Sequence, residues 1–201
     1  APNGTLTGDK LVEDTANTQH NVRQLATVAD NTIVTATVYA KAAERSFIRL
    51  SIIAKSGSFP GQYFNISNGT LGIAVASPIA ASITSVGNGW YRCSVTADVV
   101  TGGVAPGVQI WIASANGVVS YTGDGTSGLY IWGAQLETGA FPTSYIPTTA
   151  AAATRAADGV FIGTLTPWYN QSEGTLFATV GYQRNGTVAS FNDNTANNRW
   201  T

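Results

Sequence analysis

Apolar residues recur with a period of two along most of this chain, and that repeat constrains the fold more than any other feature. Residues 35–41 read Thr-Ala-Thr-Val-Tyr-Ala-Lys, the alternation of a strand with one buried face. In residues 108–112 the repeat places Val108, Ile110 and Ile112 on one face and Gln109 with Trp111 on the other. Residues 90–96 divide in the same way, with Tyr91, Cys93 and Val95 against Trp90, Arg92 and Ser94. Residues 47–53 alternate less cleanly, and residues 129–136 form a further strand between Gly128 and Gly139. Between these runs stand Asp30-Asn31, Ser67-Asn68-Gly69, Gly87-Asn88-Gly89, Ala115-Asn116-Gly117 and Gly123-Asp124-Gly125, all residue types that tolerate positive φ. Short strands at such spacing predict an all-β, antiparallel sandwich of jelly-roll type.

Composition narrows the function. Charged residues make up 10% of the 201 positions, against roughly 25% in an ordinary soluble domain. Ten basic and eleven acidic side chains leave a net charge of −1, which argues against a phosphate-binding surface and so against nucleic acid. No apolar run approaches the roughly 20 residues of a membrane-spanning helix, so no membrane insertion is expected. One cysteine, Cys93, excludes an internal disulfide, and one histidine, His20, excludes two-histidine metal motifs. Neither a GxGxxG nor a GxxxxGK[ST] fingerprint is present. Little remains from which to build a catalyst, and the chain is read as a non-enzyme. A neutral, Thr/Asn/Gly-rich surface with aromatic residues suits neutral polar ligands.

Several stretches resemble a specific family. Residues 1–14 (APNGTLTGDKLVED), 38–42 (VYAKA), 87–96 (GNGWYRCSVT), 121–125 (YTGDG), 128–137 (GLYIWGAQLE), 141–148 (FPTSYIPT) and 154–158 (TRAAD) occur in one order. Together they resemble the carbohydrate-binding-module-like β-sandwich of bacteriophage tail fibres and tailspikes. The resemblance implies a jelly roll and glycan binding on a virion surface or outside the cell. Members of that family usually carry one or two strands before the equivalent of Ala1, so this chain is expected to start inside the domain. Residues 168–177 (WYNQSEGTLF) and 191–199 (FNDNTANNR) are similar to the opening of a concanavalin A-like lectin domain. The expected organisation is a sandwich over 1–147, a linker over 148–158, and a short β tail over 159–201. That tail either begins the lectin-like domain, completes a sheet edge or mediates oligomerisation.

Sugar binding needs apolar surface for C–H faces and a few oriented hydrogen-bonding groups. The candidate ligand residues are Trp111, Gln109, Tyr39, Arg49, Trp90, Arg92 and Tyr121. Trp111 is opposite the presumed core face of its strand, beside Gln109. Tyr39 and Arg49 leave the core on the polar side of theirs and line one groove with Trp111 if the strands are neighbours. Trp90 shares a face with Arg92, on which it would stack, and Tyr121 opens the Gly/Asp loop as a rim contact. Each has a structural alternative, since aromatic residues serve packing first. Tyr130 and Trp132 share a face with Ala134 and Leu136 and read as core. Calcium is the one metal to weigh, because jelly-roll carbohydrate modules often hold a structural ion; Glu13, Asp14, Asp124 and Glu137 are its candidate ligands. Otherwise no cofactor is expected. His20 reads as a hydrogen-bonded structural residue and Cys93 as a buried small apolar one.

The leading expectation is non-catalytic binding of a cell-surface glycan or polysaccharide as the host-recognition module of a tail fibre or tailspike, in a homo-oligomer that multiplies weak sites. The alternative is a structural spacer or oligomerisation module of a viral appendage or extracellular filament, without ligand. A fragment of a polysaccharide-degrading enzyme is a third reading.

Overall fold

Strands form where the alternation lies. The computed structural model describes residues 1–148 and 151–154. Within them the strands are β1 (Asp9–Val12), β2 (Asn17–Gln19), β3 (Asn21–Leu25), β4 (Thr32–Ala42), β5 (Phe47–Ile53), β6 (Gly61–Asn65), β7 (Thr70–Val75), β8 (Ala80–Gly87), β9 (Trp90–Val99), β10 (Gly107–Ala113), β11 (Ser120–Thr122) and β12 (Gly128–Thr138). One sheet has the order β1-β12-β4-β9-β8 and the other β3-β10-β5-β6-β7, with β2 and β11 forming a small third sheet. The pairings are antiparallel, and the chain passes repeatedly between the two large sheets, giving the jelly-roll β-sandwich that the pattern predicts. The chain divides into two units, Ala1–Ala153 and Thr154–Thr201. The expected short β tail over 159–201, with its lectin-like opening, lies outside the described residues, as does most of the expected linker.

The core is the set of inward faces. Val34, Ala36, Val38 and Ala40 of β4 meet Ile48, Leu50 and Ile52 of β5, with Phe64, Cys93, Val95, Val99, Ile110, Ile112 and Leu129 around them. Full burial of each large aliphatic side chain contributes roughly 1.5–3 kcal/mol. Hairpin turns fall where the sequence marks them. At Gly87-Asn88-Gly89 all three residues have positive φ (89°, 53° and 76°), which joins β8 to β9 tightly.

One strand departs from strict alternation. Along the β12–β4 pairing, Trp132 faces Tyr39 but Gln135 faces Thr37, so β12 contains one extra residue. This β-bulge reverses the parity of the strand. Leu129 and Ile131 before it and Leu136 after it all reach the core. Tyr130 and Trp132 therefore point outward, correcting their assignment to the core: Tyr130 is exposed and Trp132 half-buried.

After β12 the chain doubles back as an extended strap across the outer face of β4, β9 and β12. Thr143 donates from its N–H and hydroxyl to Glu137, the Ile146 N–H donates to Gln135 Oε1 (2.9 Å), and Arg92 Nη2 donates to the Thr143 carbonyl. Tyr145 packs on Trp132, with ring centroids 4.7 Å apart. Beneath the strap Thr35 and Thr37 are buried, and Thr35 Oγ1 bonds both Thr96 Oγ1 (2.8 Å) and the Gly139 carbonyl (2.9 Å). The buried hydroxyls of Thr35 and Thr96 are thus satisfied rather than stranded.

Candidate functional site

The sheet order separates the residues that the sequence offers as one groove. Tyr39 belongs to the β1-β12-β4-β9-β8 sheet, and Arg49 and Trp111 to the other. On the first sheet Arg92 lies over the Tyr39 ring (5.8 Å from guanidinium carbon to centroid), and Tyr39 meets Trp132 edge-on at 5.3 Å. Trp90 is 6% exposed, with its ring against Gly8 of the N-terminal segment, and Arg92 pairs with Tyr39 rather than with this indole. Tyr39, Trp90 and Arg92 are therefore used in holding the strap and the N-terminal segment onto the sheet.

The second sheet gathers Trp111, Arg49 and Gln109. Cross-strand register sets Trp111 of β10 opposite Arg49 of β5, and Arg49 opposite Tyr63 of β6. The Arg49 guanidinium is 5.1 Å from the Trp111 ring and 5.9 Å from the Tyr63 ring. Its Nε donates to Ser51 Oγ (2.9 Å) and its Nη2 to the Phe59 carbonyl (3.1 Å). Burial pulls the guanidinium below its usual pKa, and Tyr63 acts in the opposite direction. A small second cluster of Tyr63, Trp111, Ala113 and Val119, with Phe47 and Val75 beside it, completes this layer.

Trp111 does not stand as an open platform. It is 7% exposed, and a guanidinium covers a ring face. The edge of the indole is another matter. Trp111 Nε1 is buried and has no hydrogen-bond partner among the described residues. Two residues along the same strand face, Gln109 donates from Nε2 to Asn21 Oδ1 (2.7 Å), while its Oε1 is buried and has no partner among the described residues. A buried donor and a buried acceptor without partners each cost on the order of 1–3 kcal/mol. Cation–π contact with the ring face leaves the in-plane N–H unsatisfied, because that donor points along the ring edge.

The carboxylates named for calcium are otherwise engaged. Glu13, fully buried at its side chain, accepts from Arg45 Nε (2.8 Å) and Nη2 (2.5 Å), from the Tyr121 hydroxyl (2.7 Å) and from the Asp124 N–H (3.0 Å). The Arg45 bonds hold the Glu13 carboxyl below its ordinary pKa, reinforced by the other two donors. Asp124 accepts from the hydroxyl and N–H of Ser127 and from Thr126, which lower its pKa. Asp14 Oδ1 accepts the Ala16 N–H and lies 3.2 Å from His20 Nδ1. Glu137 is under the strap, apart from the other three. Among the described residues no three His, Cys, Asp or Glu side chains gather in a form able to hold a metal. At Glu13 the carboxylate oxygens are taken up by the Arg45 cation, the Tyr121 hydroxyl and the Asp124 N–H.

Tyr121, the expected rim contact, is half-buried and belongs to the same cluster. Its hydroxyl serves Glu13, Arg45 lies 5.2 Å from its ring centroid, and His20 packs on it at 4.7 Å. His20 is buried and bonds the Tyr121 carbonyl through Nε2 (3.2 Å), the structural role expected of it. Sequence reasoning passed over Tyr63, Asn21 and Arg45. The first two lie on short strands with weak alternation. Arg45 is 32 positions from Glu13, and no local signal links them.

No protein-family model and no curated protein sequence matches this chain.

Proposed function

We propose that the sandwich binds a glycan, without catalysis, on the outer face of the β3-β10-β5-β6-β7 sheet, as a host-recognition module of a phage tail fibre or tailspike. The observation that carries this reading is the unpaired pair on β10, Trp111 Nε1 and Gln109 Oε1, buried on one strand face beside Arg49. A polyol supplies both a donor and an acceptor, and reaching these two buried atoms requires the side chains covering them to move aside. Recognition of this kind works through the edge of the indole and differs from stacking on an open ring. The tail-fibre context rests on the resemblance of residues 1–158.

A glycan array spanning bacterial surface oligosaccharides and plant and algal polysaccharides tests it, run with the wild type, Gln109→Ala and Trp111→Phe. Binding that both substitutions abolish while the thermal midpoint stays above the assay temperature supports the proposal. Absence of any hit, or hits indifferent to both substitutions, overturns it. The second reading, a structural spacer without ligand, is favoured by one observation: Trp111, Arg49 and Gln109 are each less than a tenth exposed, as in a packed layer.

A further inference from the structure

Among the described residues the two large sheets end in four edge strands, β1, β8, β3 and β7. An exposed edge offers unpaired N–H and C=O groups to any other strand, and proteins blunt such edges with charge, brevity, proline or bulges. Three of the four carry such a device. β1 has four residues, including Asp9 and Lys10, and Lys10 pairs with Glu44. β3 has five residues and carries Arg23. β7 is bulged against β6, and its Ile73 N–H is already bonded by Asn116 Oδ1 (2.8 Å).

β8 has no charge, no proline and no brevity, and its one bulge lies at its end. It is the longest of the four edges, eight residues reading Ala-Ala-Ser-Ile-Thr-Ser-Val-Gly, with neither charge nor proline. From Ala80 to Ser85 it keeps unbroken register with β9, the bulge coming only at its end. No Asp, Glu, Lys or Arg occurs between Lys55 and Arg92. Ile79 at the entrance to the strand is 57% exposed and Val86 near its exit 38%. Apart from Ile83, which packs on the core, the side chains between them are small, so another backbone can approach closely.

We infer that β8 is an interface, and that its occupant is β8 of a second copy of this chain, paired antiparallel about a two-fold axis. Self-pairing fits the observations for two reasons. An uncharged strand meets its own copy with no like charges opposed, and a two-fold contact uses the same patch on both partners and so closes at a dimer. Pairing would join two five-stranded sheets into one continuous sheet and bring the exposed Ile79 of each copy toward Val86 of the other. The inference is independent of the glycan proposal, since β8 lies on the other sheet from Trp111.

Sedimentation velocity of the full chain over a dilution series tests it, with Thr84→Lys placing a cation on the β8 edge and Thr70→Lys doing the same on β7. The expected result is a reversible monomer–dimer equilibrium for the wild type and Thr70→Lys, and loss of the dimer for Thr84→Lys with an unchanged far-ultraviolet spectrum. Hydrogen exchange supplies a readout free of substitutions: alternate amides of Ala80–Gly87 are expected to exchange more slowly at high concentration than at low. A wild type monomeric at every concentration, species growing beyond a dimer, dissociation by Thr70→Lys but not Thr84→Lys, or concentration-independent exchange in β8 would each overturn it.

Discussion

Replacing Arg45 by alanine isolates the Glu13 carboxylate, and the structure fixes what should follow. Glu13 has no solvent-exposed side-chain surface, whereas the Arg45 side chain is 24% exposed. Removing the cation leaves a buried anion with two remaining donors, the Tyr121 hydroxyl at 2.7 Å and the Asp124 N–H at 3.0 Å. Breaking a buried pair from one side costs about 3–5 kcal/mol. The two surviving bonds place this case near about 3 kcal/mol, a fall in the unfolding midpoint of about 6–12 °C for a domain of this size. The pH dependence gives the sharper test. In the wild type the folded pKa of Glu13 is lowered. Its contribution is therefore whole above the unfolded value of about 4.3 and is lost as pH falls through the lower folded value. In Arg45→Ala the buried carboxyl favours its neutral form, so the penalty is full at pH 7 and shrinks near pH 4. Urea unfolding of both proteins at the two pH values measures the difference. Adding Glu13→Gln to Arg45→Ala removes the stranded charge and should recover part of the loss at pH 7. A loss below about 1 kcal/mol, one equal at both pH values, or a double variant no better than the single would refute the reasoning.

Two further outcomes follow from packing. A methyl group at Gly123 would lie 1.9 Å from the Asp14 carbonyl oxygen and 3.1 Å from Glu13 Cγ. Gly123→Ala is thus expected to destabilise by about 1–3 kcal/mol, and an unchanged urea midpoint would show that the loop yields freely. Burial alone raises the pKa of the Cys93 thiol, which has no exposed surface. A thiol-reactive chromogenic disulfide should therefore label it only at the rate of unfolding, and rapid labelling of the native protein would contradict its place in the core.

The strands were legible because alternation is a local property. Residues 47–53 and the predicted strand at 108–112 reappear as β5 and β10 with inward and outward faces as the pattern divides them. The β12 bulge was not legible, because a single extra residue leaves composition untouched and reverses every side chain after it. Tyr130 and Trp132 share apparent parity with Leu136, yet the bulge sends them to the opposite face. Sheet membership was equally hidden. Tyr39 and Arg49 both leave the core on the polar side of their strands, but those strands lie in different sheets, so only Arg49 reaches Trp111. The exposure of Trp111 depended on where the Arg49 side chain turns, a tertiary matter with no signature in residues 108–112. The proline-bracketed tract after β12 reads as extended from its sequence; its docking across β4 depends on partners as distant as Thr35 and Arg92.

The Trp111 indole N–H offers the most direct view of the proposed site. In a proton–nitrogen correlation spectrum of labelled protein, its signal is identified by its loss in Trp111→Phe and followed through titration with oligosaccharides of bacterial surface glycans. Glycan binding at β10 predicts a saturable shift of this resonance with at least one of them, while the indole signals of Trp90 and Trp132 on the opposite sheet stay in place. A Trp111 signal that no glycan moves, or one that moves only in step with Trp132, would contradict it.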